Sequence, residues 1–166
     1  VAHVHIEPNA QNFRTVARAL RDEGDGRELK RELAEEFRDI LGEIVDEQRG
    51  LLMGMSSGGL PHAGEPLRQA ISAGLKISVR TTGKAAGARI RAVGSRVPRN
   101  FRNAPKRFNA HEFRHPIFGT AVWVTQISGA EGWFDRPIEA HRAKARRRAE
   151  RALEDMALRI QRKTKR

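Results

Sequence analysis

The chain has 166 residues, enough for one domain with its own core. It carries 32 Lys and Arg against 20 Asp and Glu, a formal net charge of +12. The self-repulsion this creates points to an acidic partner: nucleic acid, an acidic protein surface or a membrane. The chain has no cysteine, which excludes disulfides, thiolate metal sites and cysteine nucleophiles. It also has no tyrosine, so a core must come mostly from Leu, Ile, Val and Ala.

No apolar run approaches the roughly 20 residues of a bilayer span. Residues 1–7 show neither the basic start nor the apolar core of a signal peptide. Cytoplasmic synthesis and assembly, without a membrane partner, are therefore expected. In residues 1–7, Val4 and Ile6 fall on one side and His3 and His5 on the other, a short strand pattern. The two histidines have a spacing that suits a metal, although surface histidines near a terminus are usually incidental. Pro8 breaks the strand, and Asn9 is placed to cap a helix to about Leu20, with Phe13, Val16, Ala17 and Leu20 on one stripe. Gly24-Asp25-Gly26 is a turn.

The clearest helix runs over 26–53. Leu29, Leu33, Phe37, Ile40, Leu41, Ile44, Gln48, Leu51 and Leu52 recur every three or four residues. Glu32, Glu35, Glu36 and Asp39 concentrate acid on the rest of its surface. Its length suits a packing spine or a subunit-contact helix. Residues 53–65 are rich in glycine and serine and lack the Gly-Lys-Ser/Thr of a phosphate loop, so they read as a flexible connection. Pro66 opens a short helix reaching Ala73. Residues 75–81 and 88–93 alternate around a turn at 83–87, giving a basic hairpin. Ile77, Val79 and Ile90 belong to one face and Lys76, Arg80, Arg89 and Arg91 to the other, in a register the pattern leaves open.

Residues 95–114 hold Arg96, Arg99, Arg102, Lys106, Arg107 and Arg114 against a single acid, Glu112. Pro98 and Pro105 forbid one continuous helix, so an irregular loop with room for a short helical turn is expected. Such a charge stripe suits phosphate without sequence reading. Phe101, Phe108 and Phe113 either stack bases or pin the loop to the core. A strand over 120–127 and a turn at 129–132 follow. Asp135 is a candidate N-cap, and Pro137 sits in the first turn of a last helix. Its stripe is Ile138, Ala145, Ala149, Leu153, Met156 and Ile160, with a frayed tail over 161–166. Arg142, Lys144, Arg146, Arg147, Arg148 and Arg151 load this helix with positive charge.

His111-Glu112-Phe113-Arg114-His115 matches the H-E-x-x-H pattern of zinc hydrolases, which needs both histidines on one helical face. Pro116 pushes His115 out of helical geometry, and no third-ligand motif follows. No nucleophile elbow, Walker loop or dinucleotide fingerprint is present. The pattern as a whole predicts an α+β fold. A long N-terminal helix and a C-terminal helix pack on a small antiparallel sheet with a β-hairpin and a long basic loop.

Several segments occur in a telling order. Leu67-Arg68-Gln69-Ala70-Ile71 precedes the hairpin; then come His115-Pro116-Ile117-Phe118-Gly119, Trp123-Val124, Trp133-Phe134, and Arg136-Pro137 before the last helix. Over about residues 65–160 this resembles the tail-completion or neck proteins of long-tailed bacteriophages. Where many relatives carry Glu-Phe-Gly-Thr, this chain has His-Pro-Ile-Phe-Gly-Thr, a departure at the level of subfamily. The resemblance implies a non-enzymatic virion protein without cofactor or metal. It would be a single domain over 1–166, with a helical part to 64, a β-rich part over 66–137, and a C-terminal helix and tail over 138–166.

The resemblance also implies a ring of about six subunits between the DNA-filled head and the tail. Its partners would be copies of itself, head-connector or stopper proteins, tail-terminator or tail-tube proteins, and genomic DNA in the channel. Phe118, Trp123, Trp133, Phe134, Arg146, Arg147 and Arg148 are then candidate subunit or ring contacts. Arg89, Arg91, Arg96, Arg99, Arg102, Lys106 and Arg107 are candidate contacts to DNA or an acidic partner. The acidic face of the 26–53 helix is expected to meet the basic 139–166 helix of a neighbour. Two other readings stand beside this one: a non-specific DNA-binding protein and, behind it, a metallohydrolase using Glu112.

Overall fold

The 3.6-residue repeat of apolar positions that starts at Leu29 folds as α1, Gly26–Met53. Its 28 residues span about 42 Å at 1.5 Å each. Leu29, Leu33, Phe37, Ile40, Leu41, Ile44, Gln48 and Leu52 are buried, while Leu51 falls off the stripe and is exposed. The structure, a computed structural model, describes residues 4–6, 26–55, 67–81, 86–117 and 120–164. The expected helix at 9–20, most of the 53–65 connection and the 83–87 turn lie outside these residues.

The fold is α+β. After α1 come α2 (Leu67–Ala73), β2 (Leu75–Arg80) and β3 (Gly87–Ala92). β1 (Val4–Ile6) pairs antiparallel with β3, Val4 opposite Ile90, in a three-stranded sheet of order β1-β3-β2. Two 3-10 turns, Gly94–Arg96 and Arg99–Phe101, lead into α3 (Ala104–Asn109). β4 (Glu112–Pro116) and β5 (Trp123–Ile127) form a separate two-stranded antiparallel sheet, and α4 (Asp135–Thr164) ends the chain.

Several expectations change. Residues 95–114 are not one irregular loop: the segment turns twice, forms α3 and enters β4. Pro105 stands at the start of α3, where its missing N–H leaves no helical bond unmade. The H-E-x-x-H residues after His111 belong to β4, so about 13 Å of extended chain separates the two histidine positions. That is not the helical geometry the motif requires. The tail expected to fray is helical to Thr164, and Asp135 is the first residue of α4 rather than its cap.

Two compact units divide the chain. One is built on Val45–Lys76 and Arg91–Glu139. Its core holds Val45, Leu52, Ala70, Ile71, Leu75, Val97, Ala104, Trp133, Phe134 and Ile138. Trp133 and Phe134 meet edge to face at 5.5 Å between ring centroids, the arrangement their quadrupoles favour. Buried Gln48 belongs here because its Nε2 donates to the Phe134 carbonyl at 2.8 Å. The other unit draws on His3–Ile44, Ile77–Ile90 and Ala140–Arg166. There Leu29 to Ile44 of α1 and Ala145, Ala149, Leu153, Met156 and Ile160 of α4 are buried, as their spacing predicts.

Candidate interaction surfaces

The positive charge falls into two electrostatic classes. On α4 part of it is paired with carboxylates within the chain. Lys144 Nζ donates to Glu43 Oε2 at 2.6 Å, and Arg148 donates to Glu43 Oε1 at 2.7 Å. Arg159 donates to Glu32 at 3.0 Å, and Arg146 to Glu150 one turn on at 2.9 Å. The Lys144 hydrogen bond, the Lys144 charge and the nearby Arg148 hold the Glu43 carboxyl below the usual carboxylate range. The acidic-to-basic helix pairing expected between neighbours is therefore made inside one chain, by α1 and α4. Of the candidate contacts Arg146, Arg147 and Arg148, only Arg147 is exposed without an acidic partner among the described residues.

The segment 94–107 is different. Val97 and Ala104 are buried and pin it. Around these anchors Arg96, Arg99, Arg102 and Lys106 are exposed and Arg107 is half-buried. None of the five meets a carboxylate among the described residues. Phe101 is exposed between Arg99 and Arg102, while Phe108 and Phe113 are half-buried against each other at 6.1 Å. So two of the three phenylalanines pin the segment and one faces outward. Arg102, Lys106, Asn103 and Asn109 border a cleft of about 120 Å³ floored by Trp133 and Phe134. Arg89 and Arg91 are half-buried on β3 rather than presented freely.

The third surface is the β4–β5 hairpin. Its register sets Glu112 opposite Ile127, Arg114 opposite Thr125 and Pro116 opposite Trp123. Opposed residues share a face, so Trp123, Thr125 and Ile127 line one side. Trp123 is 53% exposed, Val122 56% and Ile127 69%. On β5 only Val124 is less than exposed, on the face it shares with half-buried Phe113, so the opposite face, with Trp123, Thr125 and Ile127, is open to solvent. The hairpin is fastened at its base instead. Ser128 Oγ donates to the Phe108 carbonyl, and Ser128 N–H donates to His111 O at 2.8 Å.

Asn109 ties that base to α4. Its Oδ1 accepts from Phe134 N–H at 2.9 Å, its Nδ2 donates to the Asp135 carboxylate, and its carbonyl accepts from Gly132 N–H at 2.9 Å. Gly132 has φ +70°, a left-handed turn that glycine adopts at little cost. Nearby, Glu131 takes a hydrogen bond from His111 and faces Arg136, which together hold its carboxyl below the usual range.

Two candidate contacts are corrected here. Trp133 and Phe134 are 1% and 2% exposed, so they fill the core and present no surface. Phe118 lies outside the described residues. Of the three described candidate aromatics, only Trp123 is placed where a partner can reach it. Sequence reading missed Ile127, Val122 and Asn109; the first two sat inside an expected strand with no sign that its apolar positions would stay uncovered.

Among the described residues no three His, Asp or Glu side chains gather as metal ligands, and no helix is long and apolar enough to cross a membrane. Comparison with protein-family models, with curated proteins and with solved structures finds no match.

Proposed function

We propose that this chain is a structural protein of the neck of a long-tailed phage, one subunit of a closed ring of about six copies joining the head connector to the tail. The observation that carries the reading is the hairpin: Trp123 and Ile127 stand exposed on one open face of a two-stranded sheet, and Val122 is exposed just before them. A monomer rarely leaves such a cluster uncovered, and aromatic residues are enriched where proteins meet. The resemblance of residues 65–160 to neck proteins supports it, because His115-Pro116-Ile117-Phe118-Gly119 and Trp123-Val124 are among the segments that carry the resemblance. With α1 and α4 neutralising each other through Glu43 and Glu32, contacts to neighbours fall to the hairpin and to the unpaired basic segment.

Trp123→Lys tests this in the phage itself. The expected outcome is filled heads and separate tails by electron microscopy, with the purified variant keeping its helical signal. Intact, infectious particles carrying the variant would contradict it.

A second reading rests on Arg96, Arg99, Arg102 and Lys106, exposed and unpaired around an exposed Phe101. They suit the phosphates of DNA, with Phe101 stacking on a base. If so, the protein binds free duplex without sequence preference, and affinity falls linearly on a log–log salt plot with a slope of about −0.9 per phosphate contacted. Replacing Arg99, Arg102 and Lys106 by Gln should flatten the slope by about 0.9 for each lost contact. Absence of duplex binding at low salt removes this reading and leaves an acidic protein surface as the partner of the segment.

A further inference from the structure

The two edges of the β4–β5 hairpin are not alike. Ser128 N–H bonds to His111 O, and Ile117 N–H bonds to Val122 O, at opposite ends of the ladder. With the register known, these fix which residues bond inward. Positions 111, 113, 115 and 117 pair through the backbone with 128, 126, 124 and 122. The backbone groups of Glu112, Arg114 and Pro116 therefore point off the β4 edge, and those of Trp123, Thr125 and Ile127 off the β5 edge. The β4 edge carries two charges and a proline, the usual guards against strand addition. The β5 edge, Trp-Val-Thr-Gln-Ile, carries neither charge nor proline.

We propose that β5 is a strand-pairing edge and that a second copy of this chain occupies it, β5 against β5, antiparallel about a two-fold axis through Thr125. The sequence of the edge is complementary to itself. With Thr125 facing Thr125 of the second copy, Trp123 faces Ile127 and Ile127 faces Trp123. These are aromatic-to-β-branched pairs on the face where both side chains are exposed, with threonines at the centre. No charged side chain on β5 is brought against its like. The product is a four-stranded sheet, β4-β5-β5-β4, and an isolated two-stranded hairpin gains stability from added strands. Both outer edges of that sheet are the guarded β4 edge, so pairing stops at two copies.

The proposal stands on the hairpin edges alone and not on the neck reading. A two-fold pair closes on itself and does not propagate into a ring. Self-pairing would withhold β5 from other partners until one displaces the second copy.

Sedimentation velocity of the purified full chain, at low and high salt, tests it. Each copy carries a formal net charge of +12, so the dimer should strengthen as salt screens the repulsion, the reverse of DNA binding. Thr125→Glu is the decisive variant. Within its own hairpin the new carboxylate faces Arg114, which favours the fold; across the two-fold axis it faces its own copy, which disfavours the pair. Thr125→Pro is the second variant, since the N–H it removes points off the edge and bonds nothing within the hairpin.

Both variants are expected to be monomers under conditions where the parent is a dimer, with unchanged helical signal. A parent that stays monomeric at every salt and concentration would overturn the proposal. So would a dimer or larger ring that survives Thr125→Glu and Thr125→Pro.

Discussion

Single residues decide more of this structure than their types suggest. Gly74 is buried where α2 gives way to β2, and Val93 N–H donates to its carbonyl at 2.8 Å. A Cβ there would stand 2.5 Å from the Val93 carbonyl oxygen and 3.1 Å from that of Ile71, both backbone atoms with little freedom to yield. Gly74→Ala should therefore destabilise by about 1–3 kcal/mol, the ordinary cost of forcing a methyl into a filled site. Thermal melting reads this directly, and an unchanged melting temperature would show that the strand shifts freely. The adjacent pair Trp133-Phe134 teaches a related point. Neighbours on a strand face opposite ways, so a sequence pattern gives one of them to solvent. Here both sit in the turn before α4, where no such alternation holds, and Asn109 fastens the turn so that both rings enter the core. No local signal in the sequence marks that outcome.

At the level of elements, legibility follows burial. α1, β2, β3 and the stripe of α4 were readable because an apolar face packed on a core leaves a period in the sequence. β4 was not. Glu112, Phe113 and Arg114 alternate, yet the strand is short, charged and ends in proline, and no side chain of its partner β5 is fully buried. The ion pairs of α1 and α4 were legible in kind but not in partner: the sequence shows an acidic helix and a basic helix, and only the fold shows that Glu43 takes both Lys144 and Arg148 from its own chain. The consequence is a pH dependence. Glu43 titrates below the usual carboxylate range in the folded chain. Its pairing therefore stabilises the fold above the unfolded-state value and is lost as pH falls through the lower, folded-state value. Glu43→Gln should lower the melting temperature at neutral pH and leave it equal to the parent's once the medium is acid enough to protonate Glu43 in both states. The gap should also shrink with salt, since the group is exposed. A difference that does not change with pH would show that Glu43 acts through packing.

For the whole molecule, the formal net charge of +12 is not spread evenly in effect. α4 pairs part of its charge with α1 and with its own acids, while Arg96, Arg99, Arg102 and Lys106 face outward with no carboxylate among the described residues. The most exposed large apolar side chains among the described residues, Ile127, Val122 and Trp123, lie in the hairpin that α3 and Ser128 anchor at its base. Among the described residues, an unneutralised basic strip and an open hairpin face are what the proposed neck ring, at the mouth of a DNA-filled head, would engage. The most direct test of that proposal is quantitative mass spectrometry of purified phage particles, counting this protein against the portal. The proposal predicts a fixed ratio of about one half, which against a portal ring of about twelve copies means a closed ring of about six. Absence of the protein from the finished particle would contradict it.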